Sequence, residues 1–304
     1  VQVDHCGLAQ GHILCSNNLQ KLDSFAGLQG IQSVFQIVVG DYELVLVDEL
    51  NEQIANKQAN VYLVDGDAGT PFTICRVSGE ELIEAIESSF SDAGINGTIV
   101  LCRSNKRAIK YNIGVRSTVQ FKEERLVRDD KLMIVKNCYQ FLEGIEGMDY
   151  IANGDIAKLQ KISRFEDRYG LHFAEARISF PDYDDQEIVA KVILDTLESE
   201  SASLTYEQSN MLYQGVNEDY AHLTTKKKRY EAVREDKYYN ALQLKYANAI
   251  TCHKSQGGQW RCVFIDNPFW QEELTVDDLK WLYTAITRAT ERVYLVNFDE
   301  RFFE

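Results

Sequence analysis

The sequence is short of positive charge: 32 Lys and Arg stand against 47 Asp and Glu, a formal net charge of -15. A chain that coats nucleic acid needs a surplus of cations to neutralise phosphates broadly, so the balance argues against that class, and any nucleic-acid contact has to be local. It also lacks paired cysteines. There are seven, an odd number, with no CxxC and no zinc-like grouping with the five histidines, which reads as free thiols in a reducing compartment and no metal site. No apolar run approaches the length of about 20 residues that spans a bilayer, and the N-terminus has no charged segment followed by an apolar one. A cytoplasmic protein with no membrane contact is the expectation.

What is present is enough apolar material for a real core. Length, 304 residues, and a hydrophobic content of 45% point to about two globular domains. "GTIVLCRS" (97–104) is a β-branched run that feeds "NKRAIKYNIGVRSTV", where Ala108, Tyr111, Asn112 and Val115 fall on one side at helical spacing. Toward the C-terminus, "YANAIT" (246–251), "CVFID" (262–266) and "RVYLVNF" (292–298) read as buried strands, and 276–291 as a helix with acids in its first turn. Strands alternating with helices predict a parallel α/β sheet.

The middle differs. "KLMIVKN", "MDYIANGDIAKLQKI" and "YGLHFAEARISF" are short strand-like runs, and Asn153-Gly154 carries a tight-hairpin signal. A small antiparallel barrel fits them. Residues 185–200 read as a helix, and 223–246 holds the one dense basic run, Lys226, Lys227, Lys228 and Arg229, beside Tyr230, Tyr238 and Tyr239. That run is either a solvated face or a local grip on phosphates with aromatic rings near bases.

The first 95 residues carry strand-like runs at "SVFQIVV", "YELVLVDEL" and "NVYLVDG", and a helix-like run at 79–90. Two stretches imitate a nucleotide site. "LVLVDE" (44–49) looks like a magnesium-binding strand end, and "GDAGTPFT" (66–73) like a phosphate loop of form GxxxxGK[ST]. In the second, Pro71 replaces the last Gly and Phe72 the Lys, so both the ammonium and a backbone donor are gone. The expected organisation is an unassigned mixed α/β region over 1–95, one domain from 96–125 plus 241–304, and an inserted barrel with flanking helices over 126–240.

The densest polar stretch is "TCHKSQGGQW" (251–260), followed about 30 residues later by "WLYTAITRATERVYLVNF". Together they resemble the C-terminal motifs of superfamily 1 helicases, in particular the RecD-like and Dda-like branch. "TIVLCRSNKRAIKYNIGVR" (98–116) is similar to the segment that opens the second RecA-like domain of these enzymes. "DDKLMIVKNCYQFLEG" with "YIANGDIAKLQKI" resembles the SH3-like barrel inserted into it. The resemblance runs from residue 98 to the end and implies a P-loop NTPase-type, UvrD-like helicase C-terminal domain.

It also implies roles. Arg288 matches the arginine that reaches the γ-phosphate, with Tyr283, Thr284 and Thr287 setting its helix; such a finger is worth on the order of 10³–10⁵ in rate. Thr251, His253, Lys254 and Ser255 are placed toward single-stranded DNA. Gln256, Gly257, Gln259 and Thr287 are placed at the nucleotide, and Gly258 with Gly257 allows the backbone turn. Relatives carry Glu at the place of Gln259, where it contacts the ribose; the amide here bonds without charge. Arg103 and Asn105, in a polar cluster with Ser104 and Arg107 at a strand's C-terminal end, are DNA candidates. Lys136, Asn137 and Tyr139 on the barrel are further ones, although polar residues there also guard sheet edges.

No GxxxxGK[ST] occurs in the sequence. The expectation is the C-terminal portion of an ATP-dependent helicase or helicase-like exonuclease subunit involved in DNA repair. ATP and Mg²⁺ are used by the full-length parent, none is held by this chain alone, and a missing first RecA-like domain is a partner alongside single-stranded DNA. The alternatives are a non-hydrolysing single-stranded nucleic-acid-binding module and a scaffold whose acidic surface recruits a basic partner.

Overall fold

The computed structural model describes residues 34–39, 42–47, 73–145, 147–271, 274–299 and 302. Along the chain, β1 (Val34–Val39), β2 (Tyr42–Val47), β3 (Thr73–Val77), α1 (Leu82–Ala93) and β4 (Thr98–Cys102) come first. Then follow α2 (Asn105–Gly114), β5 (Lys131–Ile134), β6 (Ile156–Arg168), β7 (Leu171–Phe180), β8 (Gln186–Ile193), α3 (Tyr206–Asp219), α4 (Lys226–Glu235) and β9 (Leu242–Tyr246). The chain returns through β10 (Ala249–Thr251), β11 (Trp260–Asp266), α5 (Val276–Ile286) and β12 (Ala289–Val296). The described residues fall into two compact units, one within Val1–Arg103 and Thr251–Glu304, the other Ser104–Ile250.

The first unit is built on a sheet in the order β10-β4-β11-β12-β3, in which β11 runs parallel to β4 and β12, and β12 parallel to β3. β4 is buried at every position and β11 at all but one, as β-branched runs are when a parallel sheet is covered on both faces. β1 and β2 form an antiparallel hairpin. The runs "NVYLVDG" and, but for Thr73, "GDAGTPFT" lie outside the described residues, as do the last two residues of "LVLVDE".

The second unit opens with α2. Ser104 caps it by accepting a bond from the Arg107 amide, and of the four residues expected on one side Ala108, Asn112 and Val115 are buried while Tyr111 is half-buried. Its barrel closes in the order β5-β6-β7-β8-β9, antiparallel throughout except where β8 meets β9 in parallel. Alternate positions point inward, and small Ala174, Ala176 and Ala190 make room for Phe180, Ile188 and Leu159. On the outside, α3 and α4 bury Leu212, Val216 and Val233 against Phe173, Ile193 and Tyr238.

A parallel α/β sheet with an inserted small β-barrel is therefore the observed fold class, with four local corrections. Residues 186–193 are not helical but form β8: Glu187 and Val189 face solvent while Ile188, Ala190 and Val192 face the core, a period of two. The run 246–251 is not one strand, because β9 ends at Tyr246 in the barrel and β10 starts at Ala249. The helix expected over 276–291 stops at Ile286, and Ala289 already pairs with Trp260. Asn153-Gly154 does turn tightly, with Gly154 at φ +113. It makes no hairpin, since Ile151 pairs with Cys138 whereas β6 pairs with β5.

Candidate nucleotide and nucleic-acid site

The stretch 251–260 leaves β10 through one 3-10 turn, Cys252–Ser255, and reaches β11 across two glycines. The turn is anchored by its small residues. Ser255 is fully buried and its Oγ donates to the Cys252 carbonyl at 2.7 Å, while Cys252 Sγ donates to the Trp281 carbonyl at 3.7 Å. Burial pushes the Cys252 thiol up to about 11, so it stays protonated and inert. His253 and Gln256 are exposed, whereas Thr251 and Lys254 are half-buried. Desolvation lowers the pKa of Lys254, because an ammonium partly removed from water loses hydration of its charged form. Of the four residues expected to face DNA from this loop, Ser255 is thus turned inward as a brace.

The glycines do separate work. Gly257 sits at φ +86 with nothing near a would-be Cβ, so only its backbone conformation calls for glycine. At Gly258 a Cβ would stand 2.4 Å from the Trp260 ring. Its amide donates to the Ser255 carbonyl at 3.0 Å, and its carbonyl is the link to the second motif.

That link is Arg288, one residue beyond the helix cap Thr287. Its Nε donates to the Thr284 carbonyl at 3.1 Å, Nη1 to the Gly258 carbonyl at 3.3 Å and Nη2 to Thr287 Oγ1 at 3.1 Å. Thr287 Oγ1 in turn donates toward the Tyr283 and Thr284 carbonyls at 2.9 and 3.1 Å. The Arg288 backbone carbonyl accepts from the Trp260 amide at 2.9 Å. Among the described residues, every acceptor on this guanidinium is neutral, so its position is fixed while its charge is left uncompensated. Beside the loop, Gln259 Nε2 is buried without a hydrogen-bond partner. An uncompensated cation and an orphaned N–H donor flanking one loop fit an anionic, acceptor-rich group such as a nucleotide.

Arg103 is half-exposed but committed: its guanidinium pairs with Asp278, whose side chain is 1% exposed. Asp278 also accepts from the Thr275 amide and hydroxyl, at 2.9 and 2.7 Å, and from Gln271 at 2.7 Å. Burial by itself would raise the Asp278 carboxyl, but bonds from Thr275 and Arg103 outweigh it and hold the pKa below its ordinary value. Asn105 is the first residue of α2, in the second unit. On the barrel, Lys136 Nζ lies 5.8 Å from the Tyr239 ring centre, Asn137 accepts from the Asn153 amide at 2.7 Å, and exposed Tyr139 stacks on Tyr150 at 5.5 Å.

The sequence reading missed Asp278 as the hub behind Arg103, although Thr275-x-x-Asp278 is a capping-box spacing. It also missed the carbonyls of Gly258 and Thr284, which carry no side-chain signal. Among the described residues, no group of three or more His, Cys, Asp or Glu is placed to hold a metal ion, and no helix is long and apolar enough to cross a membrane.

Comparison with solved structures gives Pif1 helicase from Bacteroides in complex with ADP-AlF3 and ssDNA at 13% identity and TM-score 0.39, covering 90% of this chain and 55% of that one. Pif1 helicase from Candida albicans gives 13% identity and TM-score 0.37, with 84% and 54% covered. The chain spans about half the length of each of these structures. No curated protein matches it. Residues 246–296, from the end of β9 through the polar loop and Arg288 to the end of β12, match the model of the UvrD-like helicase C-terminal domain.

Proposed function

We propose that this chain is the second motor half of an ATP-dependent, superfamily 1 DNA helicase of the RecD-like and Dda-like kind, working with a first RecA-like domain that supplies the phosphate-binding loop and the Mg²⁺ site. The observation that carries the reading is Arg288: a guanidinium oriented by three neutral oxygens, with no carboxylate among the described residues to neutralise it. When bound in the parent, ATP and Mg²⁺ supply the transferable phosphoryl group and its counter-charge. Arg288 binds the terminal phosphate and stabilises charge that develops there. Gln259 donates its free N–H to the nucleotide, and Gln256 and Gly257 border it.

The same geometry suggests how hydrolysis is coupled to movement on single-stranded DNA. Arg288 spends three of its five N–H donors on neutral acceptors, among them the Gly258 carbonyl, and keeps two for a phosphate. That carbonyl belongs to the loop that presents His253, with Thr251 and Lys254 behind it. A phosphate held by Arg288 is therefore joined through the Gly258 carbonyl to the loop that meets the strand, so its binding and loss shift that loop while the loop's own anchors, Cys252 and Ser255, keep it in place.

The test is made in the full-length enzyme. Arg288→Ala should lower ATP turnover by on the order of 10³–10⁵ while single-stranded DNA affinity changes only a few-fold. Arg288→Lys should not restore turnover, because an ammonium cannot reproduce the fork of donors. Turnover that survives Arg288→Ala refutes the assignment.

A further inference from the structure

The basic run of α4 has no part in the site above, and it breaks a rule of helix construction. The first turn of a helix favours anions, because its free amides leave partial positive charge. α3 obeys with Glu207 and a capping box, and α5 with Asp277, Asp278 and a capping box. α4 has Lys226, Lys227 and Lys228 there, with no acid and no side-chain cap. Three ammonium groups against a helix dipole cost stability, so the fold gains nothing from this choice, and such exceptions are expected where a sequence serves a partner.

The sides of α4 are sharply divided. Val233 is buried in the core that α3 and α4 share, and Arg229 is spent on the carbonyls of Ala221 and Leu223 at 3.1 and 3.0 Å. Lys226, Tyr230 and Arg234, at four-residue spacing, form one exposed stripe along the flank beside Val233, while Lys227 and Lys228 lie farther around the helix, on the side that also carries exposed Glu231 and Glu235. Tyr230 is 53% exposed, and the Arg234 guanidinium lies 5.8 Å from its ring centre. Among the described residues, only Lys227 of the three lysines meets a carboxylate, Glu231 at 3.9 Å, and both of these are solvent-exposed, a pairing of little energetic weight. In a chain of net charge -15, this is a concentrated patch of exposed cations flanking an exposed aromatic ring.

We infer that the exposed first turns of α4 are a second contact for a single-stranded polynucleotide: Lys226, Lys227 and Lys228, fanned around the first turn, take phosphates of a strand that curves past it, and Tyr230, flanked by Arg234, stacks on an unpaired base. Charge complementarity selects a polyanion, and the exposed ring selects a strand whose base faces are free, since a duplex hides them. An acidic peptide would use the lysines but not the ring. The inference does not depend on the role given to Arg288 and the polar loop, because it concerns other residues in the other unit.

The experiment measures binding of the whole chain to a fluorescent 20-nucleotide oligothymidylate, by anisotropy, over a series of NaCl concentrations. Single strands lose about 0.7 in the slope of log affinity on log salt for each phosphate contact removed. Lys226→Ala/Lys227→Ala/Lys228→Ala should therefore flatten the slope by about 2. Tyr230→Ala should weaken binding by on the order of tenfold with the slope unchanged, and Tyr230→Phe should bind as the parent does. A control with Lys158→Ala, Arg164→Ala and Arg177→Ala removes the same charge from exposed, carboxylate-paired cations of the barrel and should change neither quantity. The α4 variant should melt no lower than the parent, which separates lost binding from lost folding. No binding by the parent, an unchanged slope in the α4 variant, or an equal effect in the control would each overturn the inference. Loss of binding in His253→Ala/Lys254→Ala alone would leave the polar loop as the contact and sink the α4 site; loss in the α4 variant alone would do the reverse.

Discussion

At the scale of single residues, the most instructive pair is Gly257 and Gly258, adjacent and chemically identical. The sequence shows that the backbone between the polar loop and β11 needs freedom, but it cannot show that the two glycines need it for different reasons. Gly257 needs a positive φ and has space around it; Gly258 needs the absence of a Cβ under the Trp260 ring. Gly257→Ala should thus cost about 1 kcal/mol of backbone strain. Gly258→Ala must displace a ring that is itself 9% exposed, at about 1–3 kcal/mol, and it moves the carbonyl that holds Arg288. Urea denaturation of the two variants checks this order. Equal midpoints would show that the indole yields freely and that the crowding at Gly258 costs no more than the backbone strain at Gly257. The same limit applied to Arg288: its motif marked the residue, but its fixed orientation depends on carbonyls, which every residue has and no sequence pattern can reveal.

At the scale of elements, legibility followed period. β4, β11 and β12 were readable because buried parallel strands are continuous apolar runs, and α1 and α2 because their apolar residues recur at helical spacing. β8 was misread because apolar Val189 and Ile193 share a face with Glu187 and Lys191 and blur the alternation, and because Lys191 is buried. Its ammonium is paired with Glu166 at 2.6 Å, and its side chain is only 7% exposed, lying 5.1 Å from the ring centre of Tyr238. A buried lysine that depends on a distant partner looks like a helix's polar face when only neighbours in sequence are visible. α5 carries a prediction of its own. Its start is fixed by the reciprocal bonds of Thr275 and Asp278, so Thr275→Ala should cost about 1 kcal/mol. Asp278→Ala should cost more, about 3 kcal/mol, since it strands the Arg103, Gln271 and Thr275 donors together. A calorimetric melt in which the two variants lose the same stability would mean that Arg103 gains nothing from its carboxylate.

At the scale of the whole molecule, the chain leaves one sheet, builds a barrel and comes back, and the second unit contains everything needed to hold its own entry and exit together. Asn112 on α2 donates to the Tyr246 and Ala249 carbonyls at 3.2 and 2.7 Å and accepts from the Ala249 amide at 2.8 Å. Arg116, just beyond α2, bonds both oxygens of fully buried Asp130 at 3.0 and 2.9 Å, and its guanidinium lies 4.4 Å from the ring centre of Tyr246. Lys122 and the Val127 amide complete the set around Asp130, so the buried carboxylate is saturated. Both apolar cores of this unit, inside the barrel and under α3 and α4, also draw only on residues between 104 and 250. A peptide of residues 104–250 should therefore fold alone and unfold in one cooperative transition, followed by circular dichroism in urea. Within it, Arg116→Met should cost about 3–5 kcal/mol, because it leaves a buried carboxylate short of its main partner. A peptide that melts gradually, without a sigmoidal transition, would show that the barrel and its helices are held by the sheet unit and not by their own two cores.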